Sequence, residues 1–401
     1  MKKIQLGLIF GGRSCEHEVS VVSAIQLSHS VDRAKYDLYP IYINKNGEWF
    51  TGKGLLDLQN YKEPIMFSEK GKFERVFLDV TANSGALVGI ENASWLYGRK
   101  KLKLIARLDC AITVLHGLHG EDGSVQGMLE LANIPYTSSG VMGASAAMDK
   151  IIMKKLFRED GIPVLDDCYI LRSEYLKDKE KNLSYIESKL KYPMFVKPAN
   201  LGSSIGVSRA DDREKLEQAI NLAIEFDRRI LIEQGLDKPT ELNCSCIGFD
   251  DEVEASILEM PVSDGEMLTY AGKYLNNNNR DGMASLGRII PAPVSEALSD
   301  RIRELSKKVF RLLDCKGVVR IDWMQDKKTN EIYITEINTI PGSLSFYIWK
   351  ECRPRLSYPK LIDKLVFYAQ RAHSEKNRNN YSFTSSIFDK MQLDGSKGTK
   401  A

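Results

Sequence analysis

The sequence predicts an α/β protein: a Rossmann-like N-terminal domain followed by two smaller α+β subdomains. Three observations carry this. Over the first third, apolar runs ending in glycine or polar residues alternate with helically spaced segments. From about residue 146 that rhythm gives way to strands, helices and a glycine–serine loop. Towards the C-terminus, two strands of alternating polarity flank a polar turn.

The elements follow in order. Residues 4–10 are an apolar run stopped by Gly11-Gly12, as expected of a buried parallel strand. Helical spacing follows over 18–31, a strand over 38–43 and another apolar strand over 109–115. Residues 45–105, with Trp49 and Trp95, read as hairpins and loops, and Asp122 is placed to cap a helix over 124–131. This β–α–β alternation defines residues 1–145 as the first domain. The second, 146–228, has a helix over 148–159, a strand over 194–197 and a helix over 213–226. The third, 229–373, has strands over 230–234, 241–247, 253–259, 317–325 and 331–337, and helices over 295–313 and 356–373. Residues 374–401 are polar and aperiodic, and we expect a flexible tail.

Composition narrows the class. The chain has 401 residues, 43% hydrophobic and 27% charged, with a formal net charge of +2. That is no field for nucleic acid or a membrane surface, so neither is expected as a partner. No apolar run is long enough for a signal-peptide core or a span, which points to the cytoplasm. Seven scattered cysteines do not suggest a disulfide framework, and Cys244 and Cys246 lack the partners of a zinc site.

Chemistry concentrates in a few segments. On the strand over 317–325, Arg320 and Asp322 share a face; on 331–337, Glu336 shares a face with Asn338. A hairpin through the polar residues 326–330 brings Asp322 within about one register step of Glu336. Opposed carboxylates repel by up to ~1 kcal/mol, and a divalent cation reverses the sign. Asp, Glu and an amide carbonyl are the hard oxygen ligands that Mg²⁺ takes beside phosphate. Read alone, the same face is equally a solvated polar surface. Lys197 and the loop through Gly202, Ser203, Ser204 and Gly206 follow a strand, as a phosphate-binding loop does. Without Gly-Lys-Ser/Thr it is not a P-loop. Glu233 and Gln234 end a strand that can present backbone to an adenine edge, with Glu241 within reach of a ribose. The segments from Gly11 to Ser20 and from His116 to Gly127 lie at strand ends of one sheet, where α/β proteins bind ligands. The first lacks the third glycine of a dinucleotide fingerprint, which argues against NAD.

Together these segments resemble the D-alanine–D-alanine ligase family of the ATP-grasp superfamily, in order from about residue 4 to 370. The matching blocks are Gly11-Gly12 with Glu16-His17-Glu18-Val19-Ser20, His116-Gly117 with Gly120-Glu121-Asp122-Gly123, Met148-Asp149-Lys150, Lys197-Pro198 with Gly202-Ser203-Ser204, Lys273-Tyr274, Arg320-Ile321-Asp322, and Glu336-Ile337-Asn338-Thr339 with Pro341-Gly342. The resemblance implies an ATP-grasp fold and ATP-dependent joining of two D-alanines through a D-alanyl phosphate, for peptidoglycan precursors. It implies that Lys150, Lys197 and Ser204 meet ATP phosphates, that Glu233, Gln234 and Leu236 hold adenine, and that Glu241 holds the ribose. Asp322, Glu336 and Asn338 are the implied ligands of Mg²⁺, two ions, for which Mn²⁺ can substitute. Glu18 is the implied anchor of the first D-alanine's ammonium, in a trio with Ser203 and Tyr274. Arg320 and the Gly342 backbone are expected to stabilise the tetrahedral intermediate. His116, Lys273 and the residue at 347 are expected to face substrates. A lid over residues 267–281 and a homodimer are also implied.

Two departures from the family pattern bear on the acceptor. Tyr347 stands where the family usually has a serine that helps bind the second substrate's carboxylate. Ala271-Gly272 precede Lys273-Tyr274 where the family more often has an acidic residue. The Lys-Tyr pair resembles the amine-adding branch. D-serine or another amine is therefore the alternative acceptor, and a non-catalytic nucleotide-binding protein is the alternative class.

Overall fold

The computed structural model describes residues 2–61, 73–92, 100–262 and 287–380. The first apolar run is β1 (Ile4–Gly11), and the next is β2 (Tyr36–Ile43). Helix α1 (His17–Ser30) connects them, and β7 (Cys110–Val114) lies on the other side of β1. β1 is parallel to both neighbours. Between β2 and β7 the chain forms β3 (Trp49–Thr51), β4 (Glu74–Leu78), β5 (Ala86–Asn92) and β6 (Lys100–Arg107). These extend the sheet antiparallel, giving the order β6-β5-β4-β3-β2-β1-β7. The stretch that reads only as hairpins and loops is thus a wing of the N-terminal sheet.

Helices α2 (Ser124–Leu131) and α3 (Val141–Met148) lead to α4 (Lys150–Glu159). One helix was expected over 148–159. Instead Asp149 breaks it: its side chain accepts from the N–H groups of Ile151 and Ile152 and caps α4, leaving Lys150 at the helix start. Strands β8 (Asp167–Leu171), β9 (Met194–Pro198), β10 (Ser208–Ala210) and β11 (Arg229–Gln234) make a four-stranded sheet in the order β10-β9-β11-β8. It is covered by α5 (Arg172–Lys177), α6 (Lys179–Lys189) and α7 (Arg213–Phe226).

The third sheet has β12 (Thr240–Phe249), β13 (Glu252–Pro261), β14 (Arg288–Ile289), β15 (Lys316–Gln325) and β16 (Ile332–Asn338), in the order β14-β13-β12-β15-β16. Helix α8 (Glu296–Leu312) packs beneath it. After β16 the chain makes a short turn and α9 (Phe346–Trp349), then α10 (Tyr358–Lys376). α10 continues past the expected end at His373, and its last turn is tied back: the Lys376 ammonium pairs with Glu130, and His373 bonds the Asn133 carbonyl at 2.9 Å. Residues 381–401 lie outside the described residues.

The largest core crosses the sheet boundaries. Leu6, Leu8 and Phe10 of β1 pack with Ile247 and Val318 of the third sheet and with Leu361 and Leu365 of α10. Burying one such side chain is worth roughly 1.5–3 kcal/mol. The first and third sheets are thereby locked together, and their strand ends face the loop of the middle sheet.

Candidate active site

The turn after β1 needs glycine. Gly11 has φ 91°, and a Cβ there would stand 2.2 Å from the Ile43 carbonyl oxygen. The turn delivers Glu16 to the start of α1, where its carboxylate accepts the Ser203 hydroxyl from the loop after β9. Side chains are excluded on both sides of that carboxylate. A Cβ on Gly117 would lie 2.5 Å from Glu16 Oε2, and one on Gly202 3.0 Å. Ser203 and Ser204 are held at φ 52° and 57°, a left-handed backbone that costs non-glycine residues about 1–2 kcal/mol each.

Glu18, expected in this place, is elsewhere. Its carboxylate is exposed and meets Lys45 Nζ at 2.5 Å. The reason is helix phase: residues two apart on a helix differ by about 200° around its axis. One of the two carboxylates must face away, and it is Glu18.

The lysines cluster around a buried carboxylate. Lys150 Nζ donates to the Leu201 carbonyl at 2.6 Å, tying α4 to the glycine–serine loop. Lys197 on β9 reaches the Glu233 carboxylate on β11. Lys154, one turn beyond Lys150, meets the other Glu233 oxygen at 2.5 Å. Burial alone would raise the Glu233 pKa, but the charges of Lys154 and then Lys197 pull it down to about 2. Sequence reasoning missed Lys154, although its i,i+4 spacing from Lys150 was the available signal. The Gln234 side chain turns away onto Lys191, bonding its backbone N–H at 3.0 Å and its carbonyl at 2.8 Å. Leu236 lies half-buried beyond β11, and Glu241 begins the polar face of β12.

On the third sheet the expected pairing is realised. Asp322 is directly opposite Glu336, and Arg320 opposite Asn338. Arg320 donates to Asp322 through Nε and Nη2, both at 2.7 Å, and Asn338 Nδ2 donates to Asp322 Oδ2 at 3.1 Å. Burial raises the Asp322 pKa to about 6, against the pull of Arg320 and with Glu336 and Glu259 adding to the rise. Among the described residues no three His, Cys, Asp or Glu side chains gather as a complete metal cage. Two half-buried, directly opposed carboxylates and an amide carbonyl nevertheless fit a hard cation whose remaining ligands are phosphate oxygens.

His116 is buried, but both ring nitrogens are engaged. Nδ1 lies 2.8 Å from the Ile340 carbonyl, so it carries the proton, and Nε2 lies 3.3 Å from Ser23 Oγ. Ser23 Oγ also accepts the Ser343 N–H at 3.2 Å. Burial pushes the His116 pKa down to about 4, so the ring is neutral and holds the Pro341-Gly342 turn in place. Glu121 from the same loop accepts from the N–H groups of Ile340 at 2.9 Å and Gly117 at 3.1 Å. Beyond Gly342, Ser343, Leu344 and Ser345 all have φ near 50°. This left-handed turn feeds α9 and buries Tyr347 beside Glu259. Lys273 and Tyr274, and the lid expected over 267–281, lie outside the described residues.

Glu16, Glu121, Lys150, Gly202, Glu336 and Asn338 thus border one cavity, supplied by all three sheets. The architecture matches a D-alanine-D-alanine ligase structure from Coxiella burnetii with a TM-score of 0.76, at 23% identity over 94% of this chain and 97% of that one. It matches the D-Ala:D-Ser ligase of Enterococcus faecalis with a TM-score of 0.76, at 28% identity over 92% of this chain and all of that one. The fold and the site define an ATP-dependent ligase of the ATP-grasp type.

Family models sharpen this. The D-ala D-ala ligase N-terminus matches residues 5–139 and the D-ala D-ala ligase C-terminus residues 156–367. The D-alanine–D-alanine ligase of Natranaerobius thermophilus is 37% identical, covering 96% of this chain and 100% of its own length. That of Thermosipho africanus is 38% identical, covering 96% and 98%. The chain belongs to the D-alanine–D-alanine ligase family.

Proposed function

We propose that this enzyme makes D-alanyl-D-alanine from two D-alanines and ATP, as a building block of peptidoglycan. One observation supports it above all: the Glu16–Ser203 contact joins two sheets across a cavity whose other walls carry Lys150, Glu336 and Asn338. A small zwitterion and a polyphosphate are what such walls suit.

In the first step a carboxylate oxygen of the first D-alanine attacks the γ-phosphorus of ATP. The bond to the ADP oxygen breaks, leaving D-alanyl phosphate. In the second step the amine of the second D-alanine attacks the acyl carbon, loses a proton and expels inorganic phosphate. We assign the ammonium of the first substrate to Glu16, in place of Glu18, with Ser203 and Tyr274 completing the bridge. Lys150, Lys197 and the Ser204 segment are assigned to the phosphates. Glu233, Leu236 and the Gln234 backbone are assigned to adenine, and Glu241 to the ribose. Arg320 and the Gly342 N–H are assigned to the negative charge that develops on the tetrahedral oxygen. His116 acts by positioning that turn, and Lys273 belongs to the closing segment, which excludes water from the acyl phosphate. Asp322, Glu336 and Asn338 would hold Mg²⁺, or Mn²⁺ in its place, which supplies charge neutralisation at the phosphates. The enzyme is assigned to the cytoplasm as a homodimer paired through its N-terminal domain; sedimentation would show the dimer.

The test is phosphate release from Mg·ATP with D-alanine alone, with the product identified by mass spectrometry. D-alanyl-D-alanine is expected; neither phosphate nor dipeptide would sink the proposal. Tyr347 favours one second reading, in which D-serine is the acceptor. It predicts turnover only when D-serine joins D-alanine.

A further inference from the structure

The catalytic face of the third sheet continues beyond the hairpin. Register carries a row of side chains from Glu336 to Asp322, to Asn243 on β12, and to Glu259 on β13. At the far end Arg288 on β14 pairs with Pro261, two residues from Glu259 and on the same face. Arg288 Nη1 lies 2.9 Å from Glu259 Oε1. Asn243 Nδ2 donates to Glu259 Oε2 at 3.3 Å, and the Tyr347 hydroxyl lies 3.4 Å from the same oxygen. The Arg288 guanidinium lies 3.9 Å over the Tyr347 ring. Side-chain exposures of 11% for Arg288 and 4% for Glu259 make this a built, largely dry cluster.

A buried ion pair costs desolvation that its own attraction barely repays, so it is a poor device for stability alone. What it does here is fix the plane and position of a guanidinium at the far end of the row that begins at Glu336 and Asp322. From Asp322 to Glu259 is two strand spacings, about 10 Å. That leaves room for a phosphoryl group and one further amino acid residue, about 3.5 Å long. The acceptor's carboxylate therefore arrives at this end of the row. In a site closed to water it needs a cation. Arg320 stands on β15 at the other end of the row, assigned above to the tetrahedral oxygen, and Arg288 is the arginine that the register places at this end. Tyr347 serves as the platform under the guanidinium, which accounts for an aromatic residue at a position where a small hydroxyl would leave Arg288 unsupported.

We propose that Arg288 is the acceptor-carboxylate anchor of this enzyme, with Glu259 and Tyr347 as the residues that position it. The inference rests on the ligase reading above and assigns its second-substrate subsite.

The experiment separates the two half-reactions in the full-length enzyme. Hydroxylamine traps D-alanyl phosphate as the hydroxamate and carries no carboxylate, so it reports the first step alone. Dipeptide formation reports both. For Arg288→Gln the acceptor KM should rise about 10- to 100-fold, the worth of a charged hydrogen bond, while hydroxamate formation and the KM for ATP stay within about twofold. Arg288→Lys, which keeps the charge, should fall between. D-alaninamide, an acceptor without the carboxylate, should not distinguish Arg288→Gln from wild type. An unchanged acceptor KM in Arg288→Gln overturns the proposal. So does a parallel loss of hydroxamate and dipeptide in both variants, which marks a structural role. A wild-type enzyme that forms neither product overturns the ligase reading instead.

Discussion

The two ends of the polar row on the third sheet are built on opposite principles. At the β16 end, Asp322 and Glu336 face each other as like charges on paired strands. At the β13 end, Glu259 is matched with Arg288 and capped by Tyr347. One end sets two carboxylates beside a single arginine, Arg320, which donates to Asp322; the other matches one carboxylate to one arginine. The lesson is that an unbalanced cluster marks where a charged cofactor or phosphate belongs, and a balanced one marks where geometry is being held.

The largest test of that contrast is Glu336→Gln. Turnover measured as phosphate release should fall by about 1000-fold. The melting temperature should hold or rise, because an opposed-charge penalty of up to ~1 kcal/mol is removed. Near-normal turnover would take Glu336 out of the cation site. Lys154→Met tests a balanced cluster by unbalancing it. Removing one partner of buried Glu233 should cost about 3 kcal/mol in urea denaturation, with a higher KM for ATP. No loss of stability would mean that Lys197 alone suffices. Glu16→Gln should lower kcat/KM about 100-fold, and Glu18→Gln less than about twofold, because an exposed ion pair is worth little. The reverse ranking would restore Glu18 to the site.

A further effect concerns protons. His116 has a folded pKa of about 4, below its ordinary 6.5, so its contribution is present above pH 6.5 and lost as pH falls to 4. Glu121 faces it at 4.0 Å, and burial and then Glu16 raise its pKa from 4.5 to about 8, so its contribution is present below pH 4.5 and lost as pH rises to 8. Between pH 4.5 and 6.5 the two slopes oppose each other. From this pair, wild-type stability should be flat there and decline from pH 6.5 to 8. Glu121→Gln should expose the His116 slope, losing about 1.4 kcal/mol per pH unit below 6.5. Melting curves across pH decide it; a flat profile in the variant would mean that His116 does not stay neutral.

Much of this was legible in the chain. The period-two alternation around Arg320, Asp322, Glu336 and Asn338 put four polar groups on one face, and the polar turn at 326–330 brought Asp322 within one step of Glu336; the bulge between Asp322 and Trp323 that sets the two directly opposite had no such signal. The glycine–serine loop announced itself by composition. Choosing between Glu16 and Glu18 was a different matter, because the answer depends on where α1 begins and on its rotational phase, and a shift of one residue turns a carboxylate by about 100°. Lys154 carries no motif of its own, and only the packing of α4 against β11 brings it to Glu233. Arg288 and Glu259 stand in β14 and β13, 29 residues apart, and no local pattern pairs them.

By itself, then, the sequence determined the elements, their faces and the chemical kinds of group in each, because periodicity and turn chemistry act over a few residues. Only the tertiary structure decided which carboxylate faces the cavity, which lysines share Glu233 and which cation stands at the acceptor end. Those outcomes depend on strand order and on the core that joins the first and third sheets through α10, contacts made between residues hundreds of positions apart.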